Sequence, residues 1–154
     1  INLLLNLIVI AIFMAINGVE LSWSALLAPV YILEIFMFAL GLAFLLSAIF
    51  VKLRDINYIW EIIMQGLFYG SAVIYPISMV AEKSQTMAKL IMLNPVAQAI
   101  QDTRHVLVSD VNQTLYGLTV SIWISLIPIV IVIFTLIFGA LYFKKKSPSF
   151  AENV

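Results

Sequence analysis

The chain has 154 residues, of which 64% are hydrophobic and 10% are charged, and its mean hydropathy is +1.11. Soluble domains are about half apolar and about a quarter charged, so this composition predicts an integral membrane protein. The formal net charge of +0 gives no electrostatic basis for binding nucleic acid, and the absence of cysteine excludes disulfides and thiolate metal sites.

Apolar stretches separated by short polar turns predict four membrane-spanning helices. The first, 1–16, is slightly short for a span and ends at the turn pair Asn17-Gly18. The sequence does not open on a methionine or on a basic signal region, so we expect it to be the C-terminal part of a longer protein. The other spans are expected at 26–51, 58–79 and 118–143, with Pro29 in the first turn of the second and Pro128 as a kink in the last.

The third predicted span carries polar and aromatic side chains that a simple anchor would not need. At helical spacing they form a single stripe of Glu61, Gln65, Phe68, Ala72 and Tyr75. One hypothesis is that the stripe lines a path through the membrane, and the alternative is that it packs against other helices. On a neighbouring face, Gly66 and Gly70 predict close contact with another helix.

Residues 81–110 mix polar and apolar side chains and predict two short amphipathic helices, at about 84–93 and 95–107. Asn94 is predicted to be the N-cap of the second helix, with Pro95 at its first helical position. Its apolar face is expected to be formed by Val96, Ile100, Thr103 and Leu107. The polar side chains of Gln98, Gln101, Asp102 and His105 are expected to point elsewhere, with His105 in solvent.

Lysine and arginine predict the orientation, because they concentrate on the cytoplasmic side of a membrane. With four spans, five of them fall on one side, namely Lys52, Arg54, Lys144, Lys145 and Lys146. The other side holds Lys83, Lys89 and Arg104. We therefore expect the 147–154 tail to be cytoplasmic and disordered, and the segment 81–110 to lie outside.

Several short motifs follow one another in a recognisable order. They are Phe50-Val51-Lys52-Leu53-Arg54-Asp55, then Gly70-Ser71-Ala72-Val73-Ile74-Tyr75-Pro76, then Leu93-Asn94-Pro95, and finally Arg104. In this order and spacing the chain resembles the C-terminal two-thirds of an ABC transporter type-2 permease. The resemblance is to the branch that exports polysaccharides and polyol-phosphate polymers such as O-antigen, capsule or teichoic acid.

The resemblance implies an all-α integral membrane protein in which residues 1–146 supply four of the six helices of a permease. The two short helices would be extracellular gate helices, marked by Asn94, Pro95 and Arg104, and 58–79 would line the path. Arg54 and Asp55 would mark its cytoplasmic entrance. A second copy of the permease and two ATP-binding subunits, which use ATP and Mg²⁺, would be the partners. The setting would be the bacterial plasma membrane, with a multi-pass chain, a cytoplasmic C-terminus and a glycolipid or polymer substrate.

The residues offer no catalytic site: the sequence has no Gly-rich phosphate loop, a single histidine and no close cluster of carboxylates. We expect a transport subunit that binds no metal or cofactor itself. Three alternatives stay open: an exporter of a drug or lipid in the same family, an ion-coupled secondary transporter using Glu34 or Glu61, and a scaffold that transports nothing. Glu34 lies within a span and is expected to be protonated or paired within the bundle.

Overall fold

The structure, a computed structural model, describes residues 2–19, 23–51, 55–108 and 112–149, and every regular element in these residues is helical. The helices are α1 (Asn2–Ile16), α2 (Ala28–Phe50), α3 (Ile56–Gly70), α4 (Ile77–Lys83), α5 (Gln85–Met92), α6 (Pro95–Leu107), α7 (Leu115–Thr119), α8 (Ile122–Ser125) and α9 (Ile127–Lys146). Short 3₁₀ helices at Trp23–Leu27 and Ser147–Ser149 adjoin α2 and α9.

Two helical stretches, Trp23–Phe50 and Ile122–Lys146, are long and apolar enough to cross a membrane by length and composition. The apolar stretch Leu5–Ile16 is shorter. Pro29 lies in the first turn of α2, as predicted, where its missing N–H breaks no helical hydrogen bond. Large apolar side chains stay exposed along these helices, as a lipid environment allows.

The predicted third span, 58–79, is not one continuous helix. α3 ends at Gly70, and residues 71–76 form an irregular segment before α4 begins. Pro76 has no N–H to donate, and it disfavours a helical conformation at Tyr75, so the helix cannot continue through this point. With 15 residues, α3 is about 22 Å long and shorter than a membrane-spanning helix.

The start of the predicted last span, 118–143, is also wrong. Val120 adopts a left-handed conformation with φ of 53°, which ends α7 and separates it from α8 and α9. Pro128 lies in the first turn of α9 and therefore starts that helix instead of kinking it. The tail was expected to be disordered from residue 147, but Ser147–Ser149 continues as a 3₁₀ helix; residues 150–154 lie outside the described part of the chain.

The long helices α2 and α9 approach each other closely where Gly41 and Gly139 face each other. A Cβ atom built on Gly41 would lie 2.7 Å from the backbone nitrogen of Leu136. A Cβ atom on Gly139 would clash with the backbone carbonyl of Gly41. Neither position can accept a side chain without moving a backbone, so these glycines set the distance between the helices.

A separate small core lies among the short helices. Its fully buried members are Ala72 from the irregular segment, Ile77 from α4, Ala88 and Met92 from α5, and Leu115 from α7. Tyr75, Val80, Ile91, Leu93 and Leu118 pack around them. This core fixes the irregular segment at the end of α3 against α4 and α5.

The polar face of α6 is turned into the protein, which contradicts the sequence-based prediction. Gln98, Gln101 and Asp102 are buried, at 6%, 1% and 8% exposure. α6 packs against both α2 and α9, and the side chains that were predicted to point away from its apolar face are buried. Gln101 bonds to the carbonyl of Ala72, and Gln98 bonds to Asp102, contacts that periodicity alone does not show.

Candidate functional site

The irregular segment 71–76 is held in place by side chains from α6. The Arg104 guanidinium donates two hydrogen bonds, from Nη1 to the carbonyl of Ala72 at 3.0 Å and from Nη2 to the carbonyl of Val73 at 2.6 Å. Gln101 Nε2 donates to the same Ala72 carbonyl at 3.4 Å. The end of α3 leaves these carbonyls without helical partners, and a planar guanidinium suits two neighbouring acceptors.

Ala72 itself has an unusual backbone. Its φ of 50° is in the left-handed region, which non-glycine residues adopt rarely and at a cost of about 1–2 kcal/mol. Its side chain is fully buried in the small core, and its carbonyl accepts from two residues of α6. These contacts explain why the strained conformation persists at this turn.

Asn94 connects the start of α6 to the same segment. Its Oδ1 accepts a hydrogen bond from the backbone N–H of Val96 at 3.0 Å, which confirms the predicted N-cap, with Pro95 at the first helical position. Its Nδ2 donates to the hydroxyl of Ser71 at 3.0 Å. We call residues 71–76 together with Asn94, Gln101 and Arg104 the junction.

The junction unites three of the motifs on which the resemblance was based: residues 70–76, Asn94-Pro95 and Arg104. The sequence analysis missed the parts that Ser71 and Gln101 play. Gln101 precedes Arg104 by three residues and so shares its helix face, a spacing that could have marked it as a second donor.

Two members of the predicted stripe, Ala72 and Tyr75, belong to the junction and not to α3. Tyr75 packs against the small core, and its hydroxyl donates to the carbonyl of Tyr69 at 2.9 Å. The continuous five-residue stripe is therefore wrong, because the helix that would carry it ends at Gly70.

The other three stripe residues, Glu61, Gln65 and Phe68, remain together on α3 and are all exposed. None of the 15 residues of α3 is buried. No heavy atom lies within 4 Å of a Cβ built on Gly66 or Gly70, so the predicted helix contact is not made within the described part of the chain. Of the predicted entrance residues, Asp55 is exposed just before α3, and Arg54 lies outside the described residues.

A second polar cluster lies where α6 meets α2. Asp102 accepts a hydrogen bond from Gln98 Nε2 at 3.2 Å on its Oδ2 atom. Burial raises the pKa of Asp102 to about 6, while the Gln98 hydrogen bond and the charge of His105 lower it. His105 is not simply solvated as predicted: its Nδ1 lies 2.8 Å from the carbonyl of Asn112, whose side chain donates to the carbonyl of Arg104 at 3.3 Å.

Neither polar cluster coincides with the apolar groove beside α1. That groove, of about 630 Å³, lies between α1 and the start of α2 and is almost entirely apolar; Met14, Trp23, Pro29, Ile32 and Leu107 are among its lining residues. In the described residues, no group of three or more histidine, aspartate or glutamate side chains could hold a metal ion.

Comparisons with known proteins match most of the chain to one family. The ABC-2 type transporter family matches residues 1–107, which include α1 to α6 and the whole junction. The chain is 30% identical over 95 residues to the O-antigen export system permease protein RfbA of Myxococcus xanthus. That match covers 62% of this chain and 36% of the relative, so it spans about a third of the relative's length. No solved structure matches the chain.

The family match extends over more than half of the chain and includes the motifs that meet at the junction. A membrane domain of this family is a component of a transporter and not a catalytic subunit. Together with the two apolar helices, the match indicates a membrane protein. The chain belongs to the ABC-2 type transporter family.

Proposed function

We propose that this chain is part of the transmembrane permease subunit of an ATP-driven exporter whose substrate is a lipid-linked polysaccharide or a teichoic-acid-like polymer. The family supports export through a permease, and the printed function of the Myxococcus relative, O-antigen export, supports the polymer as substrate. Export of a drug or lipid is the alternative within the same family.

The observation that carries the proposal is the isolation of α3. This helix has polar Glu61 and Gln65 in its middle turns, yet the described part of the chain buries none of its residues. Charged and amide side chains are costly against lipid, so we expect their face to meet protein or a polar path. A path between two permease copies supplies such a surface, and Phe68 beside it adds a ring on which a sugar can stack.

The remaining parts of the assembly follow from the same proposal. A second copy of the permease would close the path, and two ATP-binding subunits would supply the energy by using ATP and Mg²⁺. Asn94, Pro95 and Arg104 would belong to extracellular gate helices, and Arg54 with Asp55 would mark the cytoplasmic entrance. The lysines at the end of α9 would place the C-terminus in the cytoplasm of a bacterial cell.

The test compares two faces of α3 in the full-length subunit expressed with its ATPase. Phe68→Ala should lower the amount of polymer at the cell surface while membrane abundance and ATPase assembly stay normal, because it removes an exposed stacking surface and only an edge contact with the neighbouring Tyr69 ring. Ile63→Ala is the matched control, since Ile63 is similarly exposed on the opposite side of the helix, at 48% against 47%.

Tyr75→Ala gives a third, different result. Tyr75 packs against the small core and bonds to Tyr69, so its replacement should reduce the amount of folded subunit in the membrane, and export should fall only as a consequence. If Phe68→Ala and Ile63→Ala export equally well, the path does not run along this face. If the full-length subunit restores resistance to a drug and leaves surface polymer unchanged, the polymer assignment is wrong.

A further inference from the structure

Two carboxyl groups from different helices lie within electrostatic range of each other where α6 packs on α2. Glu34 lies within the first two turns of α2, and Asp102 lies on α6. At this range each carboxylate would repel the other if both were ionised. Repulsion between two packed helices needs a compensating group.

The cluster contains three buried oxygen atoms that have no hydrogen-bond partner in the described part of the chain. They are Glu34 Oε1, Gln98 Oε1 and Asp102 Oδ1. Gln98 and Asp102 are more than nine-tenths buried, and the Gln98 amide is directed at Asp102 by its hydrogen bond to Oδ2. All three atoms accept hydrogen bonds, so the site lacks a donor or a positive charge.

The neighbouring helices supply few candidates for that donor. Besides Glu34, the described elements packed against α6 carry these titratable or charged groups: Tyr31 on α2, Lys89 on α5, Tyr75 in the junction, and Tyr142 and Lys144 to Lys146 in the last turns of α9. The 3₁₀ helix Trp23–Leu27 carries none. Tyr31 lies within electrostatic range of both carboxyl groups. On α6 itself, Arg104 bonds to the junction carbonyls, and His105 lowers the pKa of Asp102 by less than burial raises it.

We propose that Glu34 and Asp102 bind one proton between them, so that a carboxylic acid on one helix donates a hydrogen bond to the carboxylate on the other. One proton removes the repulsion and gives two of the orphan oxygens a partner. The proton belongs to the pair and not to one named residue. A divalent cation fits less well, since Ca²⁺ takes six to eight oxygen ligands and this cluster offers about three.

The proton makes the contact between α2 and α6 dependent on pH. The pKa of Asp102 is raised from its ordinary value of 3.8 to about 6 in the folded chain. The folded state therefore holds the proton more tightly than the unfolded state does. Its stabilising contribution is complete below about pH 4 and is lost as the pH rises through about 6. Since α6 also holds the junction through Arg104, loss of the proton loosens the attachment of that segment.

Infrared spectroscopy of the full-length subunit in detergent tests the shared proton through the carbonyl band of a protonated carboxyl group. We expect one such group per chain to titrate near pH 6. In Glu34→Gln and in Asp102→Asn, the remaining carboxyl has no like charge beside it, so the midpoint should fall by about one pH unit. Glu82→Gln is the control, because Glu82 is an exposed carboxyl on α4 and its loss should leave the midpoint unchanged.

Three outcomes would overturn the proposal. The first is the absence of the band from the unsubstituted subunit at pH 5, as expected if a basic side chain or cation lies between two carboxylates. The second is an unchanged midpoint of the carbonyl-band titration in Glu34→Gln, which would show that the two carboxyl groups titrate independently. Because glutamine keeps the shape of the glutamate side chain, this variant is decisive even if Asp102→Asn does not fold. The third is a higher unfolding temperature at pH 8 in sodium chloride than in choline chloride, which would identify a sodium site.

Discussion

At the scale of single residues, the buried polar side chains of α6 hold this part of the molecule together. Gln98, Gln101 and Asp102 are among its most buried residues, and Arg104 reaches across to two backbone carbonyls. Backbone carbonyls at an interrupted helix would otherwise be unpaired, which is costly wherever water is excluded. Arg104 is therefore a structural residue of the junction, whatever further part it has in a gate.

We predict that Arg104→Met lowers the free energy of unfolding by about 2 kcal/mol, because two carbonyls lose a charged donor. Arg104→Lys should lose about half as much, since an ammonium group can bond to one carbonyl but lacks the planar pair of N–H donors. The unfolding of the full-length subunit in detergent measures both. Lys83→Met, an exposed cation in the last turn of α4, should change stability by less than about 0.5 kcal/mol. Equal losses for Lys83→Met and Arg104→Met would contradict this role.

At the scale of helices, the close contact between α2 and α9 depends on a pair of glycines that the sequence analysis did not single out. Gly66 and Gly70 were selected because they lie four residues apart on one helix. Gly41 and Gly139 lie on different helices and meet only after folding. A search for small residues within one helix cannot find a contact whose two halves are 98 positions apart in the sequence.

Gly41→Ala should destabilise the subunit by about 1–3 kcal/mol, because the added methyl group would meet the backbone of Leu136 and force the helices apart. Gly66→Ala is the matched change on α3, where a Cβ atom meets nothing. In the isolated subunit it should be neutral or slightly stabilising, since alanine favours a helix by about 1 kcal/mol over glycine.

The same pair of variants examines whether Gly66 contacts a second copy of the permease. If it does, Gly66→Ala should weaken dimer formation, as measured by crosslinking in the membrane, without lowering the stability of the separated subunit. For the contact within one subunit, a Gly41→Ala variant that is as stable as the unsubstituted subunit would contradict the close approach of α2 and α9.

At the scale of the whole molecule, the orientation in the membrane was predicted from the lysines and arginines alone. The lysines at the end of α9 and the junction with α4 to α6 are expected on opposite sides. Cysteine substitutions at Gln85, an exposed residue at the start of α5, and at Ser149 can report their sides. An impermeant thiol reagent added to intact cells should label Gln85→Cys and leave Ser149→Cys unlabelled until the cells are opened. The reverse labelling would invert the topology.

The sequence by itself determined the class of protein, the family and most of the helices. Hydropathy summed over some twenty residues is a strong signal, so α1, α2 and most of α9 were expected close to where they lie. Asn94-Pro95 was predicted correctly because an N-cap and a proline in the first turn act within one turn of backbone. The motif order identified the family because it uses many residues at once.

Only the tertiary structure decided how the polar residues are used. Helical periodicity separated Gln98, Gln101 and Asp102 from the apolar face of α6, yet all three are buried, and Gln101 bonds to the carbonyl of Ala72 on another element. The break at 71–76 combines a proline, whose local effect was readable, with a left-handed Ala72, which persists through contacts to Gln101 and Arg104 some thirty residues away. The electrostatic proximity of Glu34 and Asp102 likewise joins distant positions in the sequence. Such pairings depend on which helix faces meet, and that is a property of packing that no local pattern in one chain contains.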